Sequence, residues 1–365
     1  MGDQRKETSS KFAALRAWLS RRDAAGHKSS PESTTAAPYG VHVWVDCADA
    51  TVDICFIHGL TGDRDRTWTA HAQQEPWPRT LLAPELKSAR ILTYGYDAYY
   101  LGKDGVASQN RLTDHAQNLI NELATNRRLH GASTRPIVFV AHSLGGIVCK
   151  KAVLLSHGHP DPALEDIFKC TKGIIFMGTP HRGAWMVKWA KVPVKVLGMV
   201  KSTNVGLLKA LGSGEELLES IQQDFGHLLQ RMSISKTPIE ITCFYEELTM
   251  SPTGQTVVSR DSATIPNYNA ISIHANHREM VWFDTREDRG FIEVSNLLKK
   301  WQHDVEPIYE ACFARHQTPP RRFQQLSRSP PPVSRSTEAQ FDLQQDALRP
   351  RGVQAQDGRD VHLPS

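Results

Sequence analysis

The sequence predicts an α/β protein: one mostly parallel central sheet with helices on both faces. Three observations predict it. Seven apolar or alternating runs read as strands, at 41–45, 52–57, 90–94, 137–140, 173–177, 239–244 and 270–273. Helical patterns lie between them, and strands that alternate with helices build parallel sheets. A serine stands in a tight connection between one strand and the next helix, in Ala141-His142-Ser143-Leu144-Gly145-Gly146. The chemistry of such a sheet gathers at the carboxyl ends of its strands.

Residues 1–40 are polar and charged and read as disordered, apart from a short amphipathic stretch. There Phe12, Leu15 and Leu19 share one helical face, flanked by Lys11, Arg16, Arg21 and Arg22. Such a face suits peripheral membrane contact or targeting. Asp3 and Glu7 weigh against a transit peptide, and Lys6 replaces the hydroxyl residue that favours myristoylation.

The run at 52–57 is a buried strand, followed at once by His58-Gly59-Leu60-Thr61-Gly62. Gly59 lets the main chain turn inward without a side chain in the way. No G-x-x-x-x-G-K-[ST] pattern is present, which argues against a phosphate loop. A helix follows over 113–123, where Ala116, Leu119, Ile120 and Leu123 recur at helical spacing after a Thr-Asp start.

The serine motif has the context of a nucleophile elbow: strand, sharp turn, helix. The serine of such a turn adopts a strained backbone, so its neighbours two before and two after must be small. Ala141 and Gly145 meet that need, although alanine departs mildly from the usual glycine. Ser143 is therefore the candidate nucleophile. Oxyanion donors in such a site come from the residue after the nucleophile and from the loop after an earlier strand. Those positions are Leu144 and Leu60.

Residues 184–235 form a long helical excursion between two strands, and 184–235 is expected to act as a lid. Trp185 and Trp189 are i, i+4 neighbours on it and are candidate substrate contacts. Its later face, at 217–229, reads as core packing. The strand at 239–244 runs into Glu246 and Glu247, and Asp261 follows in Val257-Val258-Ser259-Arg260-Asp261. These three are the candidate acids, with Glu246 first. After the last strand come His274 and His277. The order Ser, acid, His makes His277 the candidate base, 134 residues after Ser143, with His274 read as structural. His181 is a second-choice base near the pocket. Residues 303–365 are expected to be a disordered Pro-, Arg- and Gln-rich tail.

Composition narrows the class. The net charge of +4 over 365 residues suggests no nucleic-acid partner. Six cysteines are scattered without a C-x-x-C pair and read as reduced thiols of an intracellular, unsecreted protein. No apolar run reaches the ~18 residues of a membrane span. No metal or organic cofactor is implied.

The phrases FIHGLTGD, ARILTYGYDA, HSLGGIVCKKA, MGTPHRGA, FYE, VVSRDSA and NHREMVWFD resemble the serine-active-site-containing protein family. Its members are α/β-hydrolases of the lipase/esterase superfamily. The resemblance covers about 41–302, taken as the hydrolase domain, and departs at the C-terminus, where no repeat or nucleotide-binding module follows. It implies a Ser-acid-His triad, carried onto Ser143, Glu246 (through FYE) and His277. It also implies lipid, particularly phosphatidylglycerol, remodelling and peripheral association with endoplasmic reticulum or mitochondrial membranes; the alternative compartment is the cytosol.

The expected function is that of a serine esterase or lipase acting on an acyl ester or lipid through an acyl-enzyme, with transfer to a lipid alcohol as a variant. The alternatives are a thioesterase or amidase, and a low-turnover hydrolase fold used for signalling or interaction, whose protein partners the sequence does not name.

Overall fold

The computed structural model describes residues 39–317, apart from 61, 98–104, 183–214, 236–237, 251–253 and 255. Its strands are β1 (Gly40–Val45), β2 (Val52–Ile57), β3 (Ala89–Gly95), β4 (Ile137–His142), β5 (Thr171–Met177), β6 (Glu240–Glu246) and β7 (Asn269–Ile273). They form one sheet in the order β1-β3-β2-β4-β5-β6-β7. Only the β1–β3 pair is antiparallel, and every other pair is parallel. Each expected strand is present, several with an extra residue or two at an end.

The helices are α1 (Gly105–Leu129), α2 (Leu144–Ser156), α3 (Pro162–Cys170), α4 (Glu215–Ser233), the short α5 (Arg260–Ala263) and α6 (Arg289–Gln317). α3 shows a local start signal at work. Asp161 caps it by accepting from the Ala163 N–H at 2.9 Å, and Pro162 stands at the first turn, where no N–H is needed.

Every residue of β2, β3 and β4 is buried, as parallel strands covered on both faces must be. Alternation along the strands divides the core in two. Cys55, Ile57, Phe139 and Phe176 face α1, α2, α3 and α4. Ile54, Phe56, Val140 and Ile175 face the other way, toward Trp68, Trp77 and the buried side of α6. Phe56 is the hub of that second layer. Its ring meets Trp44, Trp68 and Trp77 at centroid distances of 5.6, 4.9 and 5.6 Å.

Two expected boundaries move. The boundary placed at 303 falls inside α6, where Val305 is buried beside Trp301 against the sheet. The later part of the 184–235 excursion is no lid. Leu218, Ile221, Phe225 and Leu228 of α4 are core residues on the face shared with α2. Trp185 and Trp189 lie outside the described residues. Among the described residues, no helix is long and apolar enough to cross a membrane.

The apolar strand β2 holds one charge. Asp53 is fully buried and accepts from Arg90 Nε at 3.1 Å, Arg127 Nη1 at 2.6 Å and Arg135 Nη1 at 2.9 Å. The partners come from β3, the end of α1 and the turn before β4. One carboxylate thus joins three segments at the amino end of the sheet. Breaking a buried ion pair on one side strands a charge, which costs about 3–5 kcal/mol. Asp53→Asn should therefore lower stability by about that much in urea denaturation. Lys300→Ala, which removes a surface pair with Asp304 at 3.7 Å, should change it by less than about 0.5 kcal/mol. Equal, small effects would show that the cluster adds nothing.

Candidate active site

Ser143 follows the last residue of β4 and precedes the first of α2. Its backbone sits at φ 54°, ψ −124°, a left-handed conformation that a side chain rarely adopts. Such a residue costs about 1–3 kcal/mol and persists only where its surroundings fix it. Here Ser143 N–H donates to the Met177 carbonyl at 2.9 Å, and its own carbonyl accepts from Gly146 N–H at 3.0 Å. The elbow also presses on the neighbouring strand. A methyl group at Gly145 would stand 2.7 Å from the Ile57 carbonyl oxygen, so only glycine fits.

The structure brings Ser143, His277 and Glu246 into one buried line. Ser143 Oγ lies 3.0 Å from His277 Nε2, and His277 Nδ1 lies 2.5 Å from Glu246 Oε2. All three residues are under 5% exposed. Glu246 ends β6, and its Oε1 accepts from the backbone N–H groups of Val257 and Val258 (the latter at 3.2 Å). A carboxylate anchored in this way accepts at Oε2, so Nδ1 carries the imidazole hydrogen. Nε2 then presents its lone pair to the serine hydroxyl.

The other candidate acids stand elsewhere. Glu247 is exposed and pairs with His274 Nδ1 at 2.9 Å, which places His274 at the surface and not in a structural core role. Asp261 is exposed in the first turn of α5. Register explains the division between adjacent glutamates. Glu246 lies opposite Ile273 of β7 with its side chain inward, and the next residue points to the other side.

Leu60 and Leu144 are both buried beside Ser143. Leu144 opens α2, so its N–H belongs to the positive end of that helix. Leu60 follows Gly59, where a methyl group would stand 2.9 Å from Ser143 Cβ. His58 braces this turn. Its Nε2 accepts from Tyr96 N–H at 3.1 Å, which leaves Nδ1–H to donate to the Gly59 carbonyl at 2.8 Å. The Tyr96 ring stacks on it at 4.4 Å, and the Tyr96 hydroxyl donates to the His58 carbonyl at 3.0 Å. Burial pushes the His58 pKa down to about 4, so the ring stays neutral. Neither His58 nor Tyr96 is picked out by sequence reasoning, because their pairing joins positions 38 apart.

A family described as "Putative serine esterase (DUF676)" matches residues 54–246, more than half of the chain. The chain belongs to this family. Mouse Protein SERAC1 is 30% identical over 188 residues, covering 47% of this chain and 27% of its own. The zebrafish protein of the same name is 32% identical over 157 residues, covering 38% and 23%. The matched stretch thus spans about a quarter of these curated relatives. Among solved structures, a soluble variant of yeast monoglyceride lipase bound to a substrate analogue aligns over 76% of this chain and 99% of its own. Its identity is 12% and its TM-score 0.38. The fold of this family member is the α/β-hydrolase fold: a mostly parallel seven-stranded sheet, one antiparallel edge strand, and a serine elbow after its central strand.

His181 is no base for Ser143. It is buried behind the elbow, where its Nδ1 lies 2.6 Å from Lys150 Nζ and its Nε2 3.6 Å from Cys243 Sγ. Lys150, on α2, also donates to Gln222 Oε1 of α4 and lies 5.3 Å from the Phe176 and Phe225 ring centres. Burial pushes the Lys150 pKa down to about 7 from an ordinary 10.5. Between those values the unfolded chain holds a proton that the folded chain has lost, so stability rises with pH. The penalty of the buried ammonium is complete below pH 7 and is relieved above it. One such group contributes up to about 1.4 kcal/mol per pH unit. Urea denaturation from pH 7 to 9 should show this rise in the natural protein and a flatter dependence in Lys150→Met. Equal slopes would mean that the amine does not titrate there.

Proposed function

We propose that this serine esterase is a carboxylic ester hydrolase acting on lipid acyl esters, with Ser143 as nucleophile, His277 as base and Glu246 as acid. The observation that carries the reading is the hydrogen-bonded line Ser143–His277–Glu246 ending on a serine in a strained elbow. A serine hydroxyl is a poor nucleophile unless a base within reach removes its proton, and Nε2 is within reach.

In the proposed reaction Ser143 Oγ attacks the ester carbonyl carbon as His277 Nε2 takes its proton. Glu246 keeps the imidazole in the productive tautomer and stabilises the imidazolium. The N–H groups of Leu60 and Leu144 receive the developing oxyanion, a contribution worth about 3–4 kcal/mol per donor where one has been removed. His277 returns the proton to the leaving alcohol. Water, or a lipid alcohol in a transfer reaction, then attacks the acyl-enzyme through the same histidine. The lipid preference rests on the resemblance to lipid-remodelling relatives and on the apolar character of 184–214, where Trp185 and Trp189 would meet the acyl chain. The same resemblance supports peripheral contact with endoplasmic reticulum or mitochondrial membranes.

A fluorophosphonate probe should label one serine, Ser143, and Ser143→Ala should remove both the label and the turnover of acyl esters. Lipid profiling of the natural protein should favour medium or long chains over short soluble esters. Labelling that persists in folded Ser143→Ala, or an absence of chain preference, would overturn the nucleophile or the lipid reading respectively.

Glu246→Gln should cost far more than Glu247→Gln or Asp261→Asn. Loss of the carboxylate favours the wrong tautomer, an effect of up to ~10⁴ in kcat. Damage from Asp261→Asn with near-neutral Glu246→Gln would reassign the acid. Steady-state kinetics on one short-chain ester is sufficient to decide.

A further inference from the structure

His142 ends β4 immediately before Ser143, and its ring is buried at 8% exposure. Its Nε2 lies 3.0 Å from the main-chain carbonyl oxygen of His277. A carbonyl has no hydrogen to give, so Nε2 is the donor and Nδ1 is the bare nitrogen. Nδ1 is enclosed and has no hydrogen-bond partner among the described residues. It faces the turn at Gly59, where a methyl group would stand 3.2 Å away. Burial first, and the nearby His277 second, push the His142 pKa down to about 3. The imidazole therefore stays neutral, with its one N–H committed to the His277 carbonyl.

This arrangement is costly as packing. An unpaired buried acceptor costs about 1–3 kcal/mol, and an apolar ring of similar size would avoid it. The cost is retained beside a bond that joins the nucleophile's neighbour to the base's own backbone. That bond supplies what Glu246 cannot. Glu246 acts on the His277 side chain, at Nδ1, while the position of the His277 main chain decides how far Nε2 lies from Ser143 Oγ. The bond from His142 ties that main chain to the end of β4. The loop bearing His277 follows β7, the edge strand, whose residues are mostly exposed or half-buried. The sheet alone therefore restrains it weakly.

We propose that His142 is a positioning residue, whose Nε2–H strap to the His277 carbonyl fixes the His277 imidazole against Ser143. The assignment rests on the proposed roles of Ser143 and His277. The two histidine rings lie with their centroids 5.0 Å apart. Removal of the strap should disturb the chemical step more than substrate binding.

The test compares the full chain with His142→Phe, which keeps a ring and loses the donor, and with His142→Gln, whose side-chain amide can donate. Three quantities are read: the rate constant for fluorophosphonate labelling of Ser143, kcat and KM on a short-chain ester, and the thermal midpoint. His142→Phe should lower labelling and kcat by roughly 10- to 100-fold, the scale set by misplacing a reacting group by about 1 Å, with KM within about twofold. His142→Gln should restore most of the loss. If the Phe chain does not fold, His142→Met, donorless and adaptable, takes its place. Natural labelling rates in a folded donorless variant would overturn the proposal. So would equal kinetic loss in the Gln and donorless variants. Failure of the natural protein to label would instead refute the nucleophile reading. The strap is then judged by proton NMR of the His277–Glu246 hydrogen bond, whose signal must change in the donorless variant and persist in His142→Gln.

Discussion

The strained backbone of Ser143 is the constraint around which the carboxyl end of the sheet is organised. A left-handed serine is unfavourable by itself, and three neighbouring features hold it there. The Met177 carbonyl of β5 takes its N–H, α2 begins at the next residue, and Gly145 lets that helix lie against the carbonyls of β2. Each depends on parallel strands placed side by side with helices crossing between them. The sheet therefore does more than support the serine, since its spacing decides whether the turn can exist. Strain maintained by rigid packing also means that the hydroxyl is held in one place.

Polar groups near the elbow are used sparingly and in fixed tautomers. His58 and His142 are both buried and neutral, and each has its N–H assigned by a carbonyl acceptor. His277 differs, because its acceptor is a carboxylate. Three histidines within one site thus take different chemical characters from their partners. Two bind main-chain oxygen and brace loops, and the third meets a side-chain carboxyl group.

Much of this fold was legible because its signals are local. Buried parallel strands read as continuous apolar runs, and the small residues around Ser143 are a steric requirement visible in six letters. The boundary at 303 was set too early because Pro307, which ordinarily marks a helix end, lies inside α6. The choice between Glu246 and Glu247 needed the register of β6 against β7, and a shift of one residue reverses which side chain is buried. His58–Tyr96, Lys150–His181 and His142–His277 were not legible for another reason. Each pairs residues tens to more than a hundred positions apart, with no repeating pattern to link them.

The Asp53 cluster has a consequence for the newborn chain. Its partners lie 37, 74 and 82 residues downstream, so the acid stays without its full set of guanidinium groups until Arg135 has been synthesised. At bacterial or eukaryotic translation speeds of about 5–20 residues per second, that interval is roughly 4–16 s. Through it, strand β2 carries a hydrated charge near the start of its apolar sequence. That charge opposes premature burial and edge-to-edge pairing of the strand with other chains. The residue that later fastens three segments together thus first serves as a solubilising group on the ribosome.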